Sequence, residues 1–73
     1  MKNYIYKALK SKYEADKLEC LATLEIYFNN PTGIGEHPGI IEEMDKLIEK
    51  LATAEGNLDT LNSNYKQYIQ GLF

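Results

Sequence analysis

The chain has 73 residues, of which 44% are hydrophobic and 26% charged, and its formal net charge at pH 7 is −3. This length admits one small domain, and the composition is typical of a globular chain, which excludes disordered and membrane-spanning classes. The mild acidic charge argues against a surface built to neutralise phosphates, so nucleic acid is not the expected partner. We therefore treat residues 1–73 as a single domain.

The first predicted element is a helix over about residues 3–29. This stretch has no glycine or proline and is rich in Lys, Leu, Glu and Ala, which are good helix formers. It carries two apolar stripes on roughly opposite sides. The first stripe has heptad spacing and comprises Tyr4, Ala8, Ser11, Ala15, Leu18 and Ala22. The second stripe comprises Tyr6, Leu9, Tyr13, Cys20, Leu24, Tyr27 and Phe28.

These two stripes predict two different neighbours, because a helix that is apolar on opposite sides is usually sandwiched. We expect the first stripe, through Ala8, Ala15, Leu18 and Ala22, to form the seam with the second helix of the same chain. We expect the second stripe, from Tyr6 to Phe28, to form an oligomer interface. The pattern alone leaves open which stripe faces which neighbour.

Residues 29–39 contain the predicted turn, with both prolines and three of the five glycines. Asn30 precedes Pro31 and is therefore disfavoured in a helix, while the glycines permit a tight reversal. A connection this short between long helices predicts an antiparallel hairpin. We expect the loop to be chiefly a structural corner. Glu36 and His37 are not required by turn geometry, so a partner contact there is the functional alternative.

The second predicted helix covers about residues 38–70, with Pro38 in its first turn. Apolar residues at alternating spacings of four and three exclude a strand. The members of this stripe predicted to pack in the intrachain seam are Met44, Leu47, Leu51, Leu58, Leu61 and Tyr65. Gly56 falls at a heptad position facing away from the stripe, so the helix should continue through it at a cost of about 1 kcal/mol relative to alanine.

A lone hairpin would leave apolar side chains in water, and this predicts self-association. One seam covers one stripe of the first helix and leaves Ile41, Ile48, Ile69 and Phe73 beside the seam of the second helix. A four-helix or larger bundle would cover both sets, and two-fold dimers are the commonest closed assembly. The predicted fold class is therefore all-α: an antiparallel two-helix hairpin assembled into a bundle, with a homodimer favoured.

The residue types that catalysis and metal binding need are scarce. Cys20 is the only cysteine and His37 the only histidine, so no intramolecular disulfide, CxxC site or histidine cluster is available. Gly33 and Gly35 lack the third glycine of a dinucleotide-binding fingerprint and follow a helix instead of a strand. We predict no enzyme activity, no metal and no cofactor. We also expect a cytoplasmic protein without a membrane anchor, because the first residues contain no long apolar run.

Charge is distributed unevenly along the chain. Residues 1–13 hold four lysines and no acid, whereas residues 36–59 hold seven acids and two lysines. Lysines interleaved with Tyr4, Tyr6 and Tyr13 are compatible with tracking a nucleic-acid backbone while the rings stack on bases. Solvated lysines beside core tyrosines explain the same pattern. A nucleic-acid-associated accessory protein is therefore the alternative to a protein–protein interaction protein.

Four segments carry a resemblance to a known family: residues 7–15 (KALKSKYEA), 30–38 (NPTGIGEHP), 41–45 (IEEMD) and 54–61 (AEGNLDTL). Together they resemble a small uncharacterised protein family of tailed bacteriophages, including those of marine cyanobacteria, and the loop segment is the most specific of the four. The resemblance implies a viral protein made in the bacterial cytoplasm, with a host or phage protein as a further partner. It implies no activity and no catalytic residue.

Overall fold

A computed structural model describes residues 3–29 and 39–65 of the chain, and these residues form two α-helices. Helix α1 comprises Tyr4–Asn29 and helix α2 comprises Ile40–Tyr65. The predicted first helix is thereby confirmed, and the predicted second helix is confirmed over the residues of α2. The predicted start of the second helix near Pro38 and its continuation to residue 70 lie outside the described residues.

The start of each helix follows from the residue before it. Asn3 is the N-cap of α1, because the backbone N–H of Tyr6 donates a hydrogen bond to Asn3 Oδ1 at 2.8 Å. At the start of α2 the backbone N–H of Glu43 donates to the carbonyl oxygen of Gly39 at 3.0 Å. Glu42 and Glu43 place negative charge in the first turn of α2, where the helix dipole is positive. Local sequence therefore accounts for both helix starts.

The two helices pack side by side in opposite directions. Side-chain contacts across the seam join Tyr6 to Asn62, Lys17 to Glu55, Glu19 to Lys50 and Tyr27 to Glu43. As the residue number rises along α1, the number of its partner falls along α2. The structure is thus the antiparallel hairpin that the short connection predicts.

The buried core of the described residues is thin. Its members are Tyr6, Cys20, Leu24, Ala54 and Leu61. Cys20 is fully buried as a free thiol. Because the distance between packed helices depends on the side chains at their contact, the small Cys20 and Ala54 favour close approach of α1 and α2. One narrow seam therefore holds the hairpin together.

The two stripes of α1 are arranged in the reverse of the prediction. The stripe predicted as an oligomer interface faces α2, where Tyr6, Cys20 and Leu24 are buried. In the same stripe Leu9, Tyr13 and Tyr27 are partly buried, and only Phe28 is exposed. The residues predicted for the intrachain seam, Ala8, Ala15, Leu18 and Ala22, are exposed. The prediction of which face of α1 meets α2 is therefore wrong.

Side-chain size and hydrogen bonding explain this reversal. Half of the outward stripe consists of alanines, whereas the inward stripe is rich in leucines and tyrosines, which remove more apolar surface from water when buried. Tyr6 and Tyr27 also find acceptors for their hydroxyl groups on α2. The inward arrangement of the larger side chains therefore gives the greater stabilisation.

The predicted seam of α2 agrees with the structure over most of its length. Leu61 is buried, and the partly buried members are Met44, Leu47, Leu51 and Leu58. Tyr65, the last predicted member, is half exposed. A single heptad stripe was available on this helix, so the periodicity alone identified its packing face.

Gly56 lies within α2 and does not end it, as predicted from the unbroken heptad phase. A Cβ added at this position would meet no atom within 4 Å. We expect Gly56→Ala to raise the free energy of unfolding by about 1 kcal/mol, since alanine is the better helix former. Thermal denaturation followed by circular dichroism at a fixed protein concentration measures this change.

The matched control is Ala52→Gly, at another exposed position of α2. We expect it to lower the free energy of unfolding by a similar amount. A fall in melting temperature for Gly56→Ala would contradict the open environment that the structure gives this glycine.

Candidate interaction surface

Two tyrosine hydroxyl groups join the helices at opposite ends of the hairpin. Tyr6 Oη donates to Asn62 Oδ1 at 2.8 Å, and Tyr27 Oη donates to Glu43 Oε2 at 3.0 Å. Both tyrosines belong to a row of residues seven apart on α1. Because residues one or more heptads apart share a helix face, both tyrosines face α2. The rings pack in the seam while the hydroxyl groups reach polar partners, which is how tyrosine is usually accommodated when buried. These contacts set the register between the helices.

The hydrogen bond to Glu43 raises the pKa of Tyr27 above its ordinary value of 10.0, and desolvation and the negative charge of Glu43 act in the same direction. Well below pH 10.0 both the folded and the unfolded chain keep the hydroxyl proton of Tyr27. At higher pH the unfolded chain loses it first, so the contribution of this contact to stability falls as the pH rises toward the raised pKa.

Two ion pairs lie beside the seam on opposite sides of the hairpin. Lys17 Nζ is 3.8 Å from Glu55 Oε2, and Lys50 Nζ is 3.5 Å from Glu19 Oε1. All four side chains are more than a third exposed, so solvent screening makes each pair weak. The pairs nevertheless identify the two sides of the hairpin, one marked by Glu55 and the other by Glu19.

An open groove of 680 Å³ follows the side of the hairpin that Glu55 marks. Its lining residues are Glu14, Lys17, Leu18, Glu55, Leu58, Asp59 and Asn62. We call the side of the hairpin that carries this groove the groove side. Within the part of the chain that the structure describes, no three His, Cys, Asp or Glu residues are grouped so that they could hold a metal ion. The acidic residues of the groove therefore present charge without forming a coordination site.

Nine large apolar side chains are exposed among the described residues, whereas the buried core contains only three large ones, Tyr6, Leu24 and Leu61. They are Tyr4, Ile5, Leu18, Leu21, Ile26, Phe28, Ile41, Ile48 and Tyr65. Single exposed apolar residues are ordinary on protein surfaces, so their grouping matters more than their number. Four of the nine form one group.

This group lies on the groove side, towards the connection between the helices. Leu21 and Phe28 follow Glu14 by one and two heptads on α1, and Ile48 and Ile41 precede Glu55 by the same spacings on α2. Residues seven apart share a helix face, and both glutamates line the groove, so the four side chains lie on one side of the hairpin. We call these four residues the tip patch.

The cross-helix contacts also place the tip patch along the hairpin axis. Glu19 contacts Lys50, and Tyr27 contacts Glu43. In this register Leu21 is level with Ile48, and Phe28 is level with Ile41. Their exposed fractions are 42% for Leu21, 67% for Phe28, 76% for Ile41 and 47% for Ile48. The tip patch is thus two matched apolar rows, one on each helix.

Three lysines of the basic end have partners within the hairpin. Lys10 Nζ is 3.9 Å from Glu14 Oε1, Lys12 Nζ is 3.0 Å from Asp16 Oδ2, and Lys7 Nζ is 5.8 Å from the centroid of the Tyr4 ring. Carboxylates beside lysines reduce the positive potential available to a phosphate backbone. This arrangement weakens the case for a nucleic-acid surface at this end of the chain.

The structure describes some of the predicted site residues and not others. Glu36 and His37, the possible partner loop, lie outside the described residues. Ile41 and Ile48 are exposed, as expected for residues beside the seam. Leu21 was not singled out from the sequence, although its spacing of one heptad from Glu14 and Phe28 was available as a signal. Glu43 and Asn62, the tyrosine partners, look like ordinary solvated residues in the sequence, so no pattern pointed to them.

Neither helix of the described residues combines the length and the apolar character that crossing a membrane requires.

We expect Tyr27→Phe to destabilise the hairpin at neutral pH, because Glu43 Oε2 loses its donor at a part-buried contact. Phenylalanine has no hydroxyl group to ionise. The stability of the variant should therefore fall less steeply above pH 10.0 than that of the unsubstituted chain. Chemical denaturation at neutral and alkaline pH measures both effects.

Tyr13→Phe is the matched control, because Tyr13 lies two heptads from Tyr27 on the same face. We expect it to change stability less than Tyr27→Phe does. Equal effects of the two substitutions would show that the hydrogen bond to Glu43 has no special contribution.

Comparison of the chain with known protein families, with curated proteins and with solved structures finds no match in any of the three. The resemblance to bacteriophage proteins therefore stays a prediction.

Proposed function

We propose that this chain is a protein–protein interaction protein that self-associates as a helical bundle. The observation that supports the proposal most directly is the tip patch, in which four large apolar side chains lie together on one side of the hairpin. Grouped apolar side chains on a soluble protein commonly mark a contact surface, because their exposure to water is unfavourable.

The thin core supports the same proposal. Short chains bury a smaller fraction of their surface than longer ones, and small folds often gain stability from association. Two helices in contact along one seam become a four-helix bundle when a second hairpin covers one of their open sides. A homodimer is the simplest closed form of this assembly.

The other parts of the proposal follow from the sequence. A host or phage protein as a further partner, and a bacterial cytoplasm as the location, are what the resemblance to bacteriophage proteins implies. The absence of catalytic activity is proposed from the scarcity of cysteine and histidine. None of these parts is needed for the argument from the tip patch.

Sedimentation velocity and light scattering over a range of concentrations test self-association. We expect a helical species of at least twice the chain mass of 8.4 kDa at high micromolar concentration, dissociating on dilution. A well-folded species of 8.4 kDa at every concentration would contradict the proposal.

Nucleic-acid binding provides a separate test of the alternative function. We expect no binding to single-stranded or duplex DNA at physiological salt, because Lys7, Lys10 and Lys12 each have a partner within the hairpin. Fluorescence anisotropy titrations measure this. Micromolar affinity that weakens steeply with salt, and is lost when Lys7, Lys10 and Lys12 are replaced by glutamine, would favour the accessory-protein alternative.

A further inference from the structure

We infer that the tip patch is the centre of a homodimer contact in which a second copy packs on the groove side, related by a two-fold axis parallel to the helices. Both helix connections then lie at the same end of a four-helix bundle. This inference rests on the proposed self-association and adds the surface, the partner and the arrangement.

Apolar residues of the two copies match under this symmetry. A two-fold axis parallel to the helices places α1 of one copy opposite α2 of the other without a shift along the axis. Phe28 then faces Ile41 of the second copy, and Leu21 faces Ile48 of the second copy. Each pair occurs twice because a two-fold contact is self-complementary. All four side chains are at least 42% exposed in the single hairpin, so each has apolar surface left to bury.

The rest of the groove side carries more lysines on α1 and more acids on α2. Lys7 shares the heptad row of Glu14, and Lys10 shares that of Lys17, so this part of α1 carries three lysines and one acid. The corresponding part of α2 contributes Glu55 and Asp59 to the groove. The same two-fold axis places the lysine-rich part of α1 opposite the acidic part of α2 of the second copy. Opposite potentials across a contact favour correct alignment of the partners.

Other two-fold axes bring less of the groove side into favourable contact. An axis perpendicular to the helices through the tip patch brings Leu21 opposite Phe28 of the second copy, but the helices then overlap only near the connection. An axis perpendicular to the helices at mid-hairpin would place the tip patch against the charged part of the groove side. Desolvating those charges without good partners is costly. The parallel axis alone combines apolar pairing in the tip patch with contact along the whole side. It sets Lys10 level with Asp59 of the second copy, and Glu14 level with Glu55 of the second copy.

Charge-insertion variants at the most exposed tip positions test the surface. We expect Phe28→Glu and Ile41→Glu each to raise the dimer dissociation constant at least tenfold, because each buries a carboxylate in an apolar contact. Both positions are exposed in the single hairpin, so circular dichroism should show the helices retained.

The matched control is Ile26→Glu. Ile26 is 57% exposed on α1, and it follows Glu19 by one heptad, on the side of the hairpin opposite the groove. We expect this variant to leave the dimer dissociation constant within about threefold of the unsubstituted chain, a change of less than ~1 kcal/mol. An equal effect of Ile26→Glu and Phe28→Glu would overturn the assignment of the groove side.

Disulfide cross-linking tests the direction of the axis. Cys20→Ala removes the only cysteine, and single cysteines are then introduced as Phe28→Cys, Ile41→Cys or Leu21→Cys. After subunit exchange and mild oxidation we expect covalent dimers from the mixture of Phe28→Cys with Ile41→Cys, and not from either chain alone. Covalent dimers from Phe28→Cys with Leu21→Cys, and none with Ile41→Cys, would overturn the parallel axis.

The outcomes separate this inference from the proposed function. A dimer whose dissociation constant is unchanged by both Phe28→Glu and Ile41→Glu would overturn the tip-patch assignment and leave self-association standing. A chain that remains monomeric at every concentration would overturn both. Loss of the dimer in these two variants alone, together with the expected cross-link, would support the surface and the arrangement.

Discussion

The seam between α1 and α2 is the interaction on which the rest of the hairpin depends. One row of residues seven apart on α1 supplies its largest contacts, with Tyr6 near one end and Tyr27 near the other. Their hydroxyl groups bond to Asn62 and Glu43, so the seam combines apolar burial with fixed polar contacts. Between the tyrosines, the fully buried Cys20 favours close approach of the helices.

The register of this seam determines what the open sides of the hairpin present. Two helices can enclose only the faces that they turn toward each other, so the remaining apolar residues stay exposed. Because Glu19 contacts Lys50 and Tyr27 contacts Glu43, the tip-patch residues of the two helices become level in pairs. A shift of one heptad between the helices, in either direction, would leave the same residues exposed with only one pair of them level. The surface that we propose for association is therefore a consequence of the internal packing.

The charged residues contribute little to the stability of the hairpin, in contrast to the apolar residues of the seam. The ion pairs of Lys10, Lys12, Lys17 and Lys50 are all partly exposed, so each adds little to the stability of the hairpin. On the groove side, Lys7, Lys10 and Lys17 of α1 and the acids Glu55 and Asp59 of α2 nevertheless give the two helices opposite character. In the proposed bundle this difference selects the alignment of a second copy, while the tip patch provides the apolar burial that favours association.

Local features of the sequence by themselves determined the two helices, their antiparallel arrangement, the continuity of α2 through Gly56 and the packing face of α2. These features depend on helix propensity, on a short connection and on one heptad stripe, all of which are encoded by neighbouring residues. Only the tertiary structure decided which face of α1 turns inward, because both of its stripes have a helical period. The choice depends on how much surface α2 can cover and on hydroxyl acceptors at Asn62 and Glu43. Those partners are distant in sequence, so no local pattern contains them.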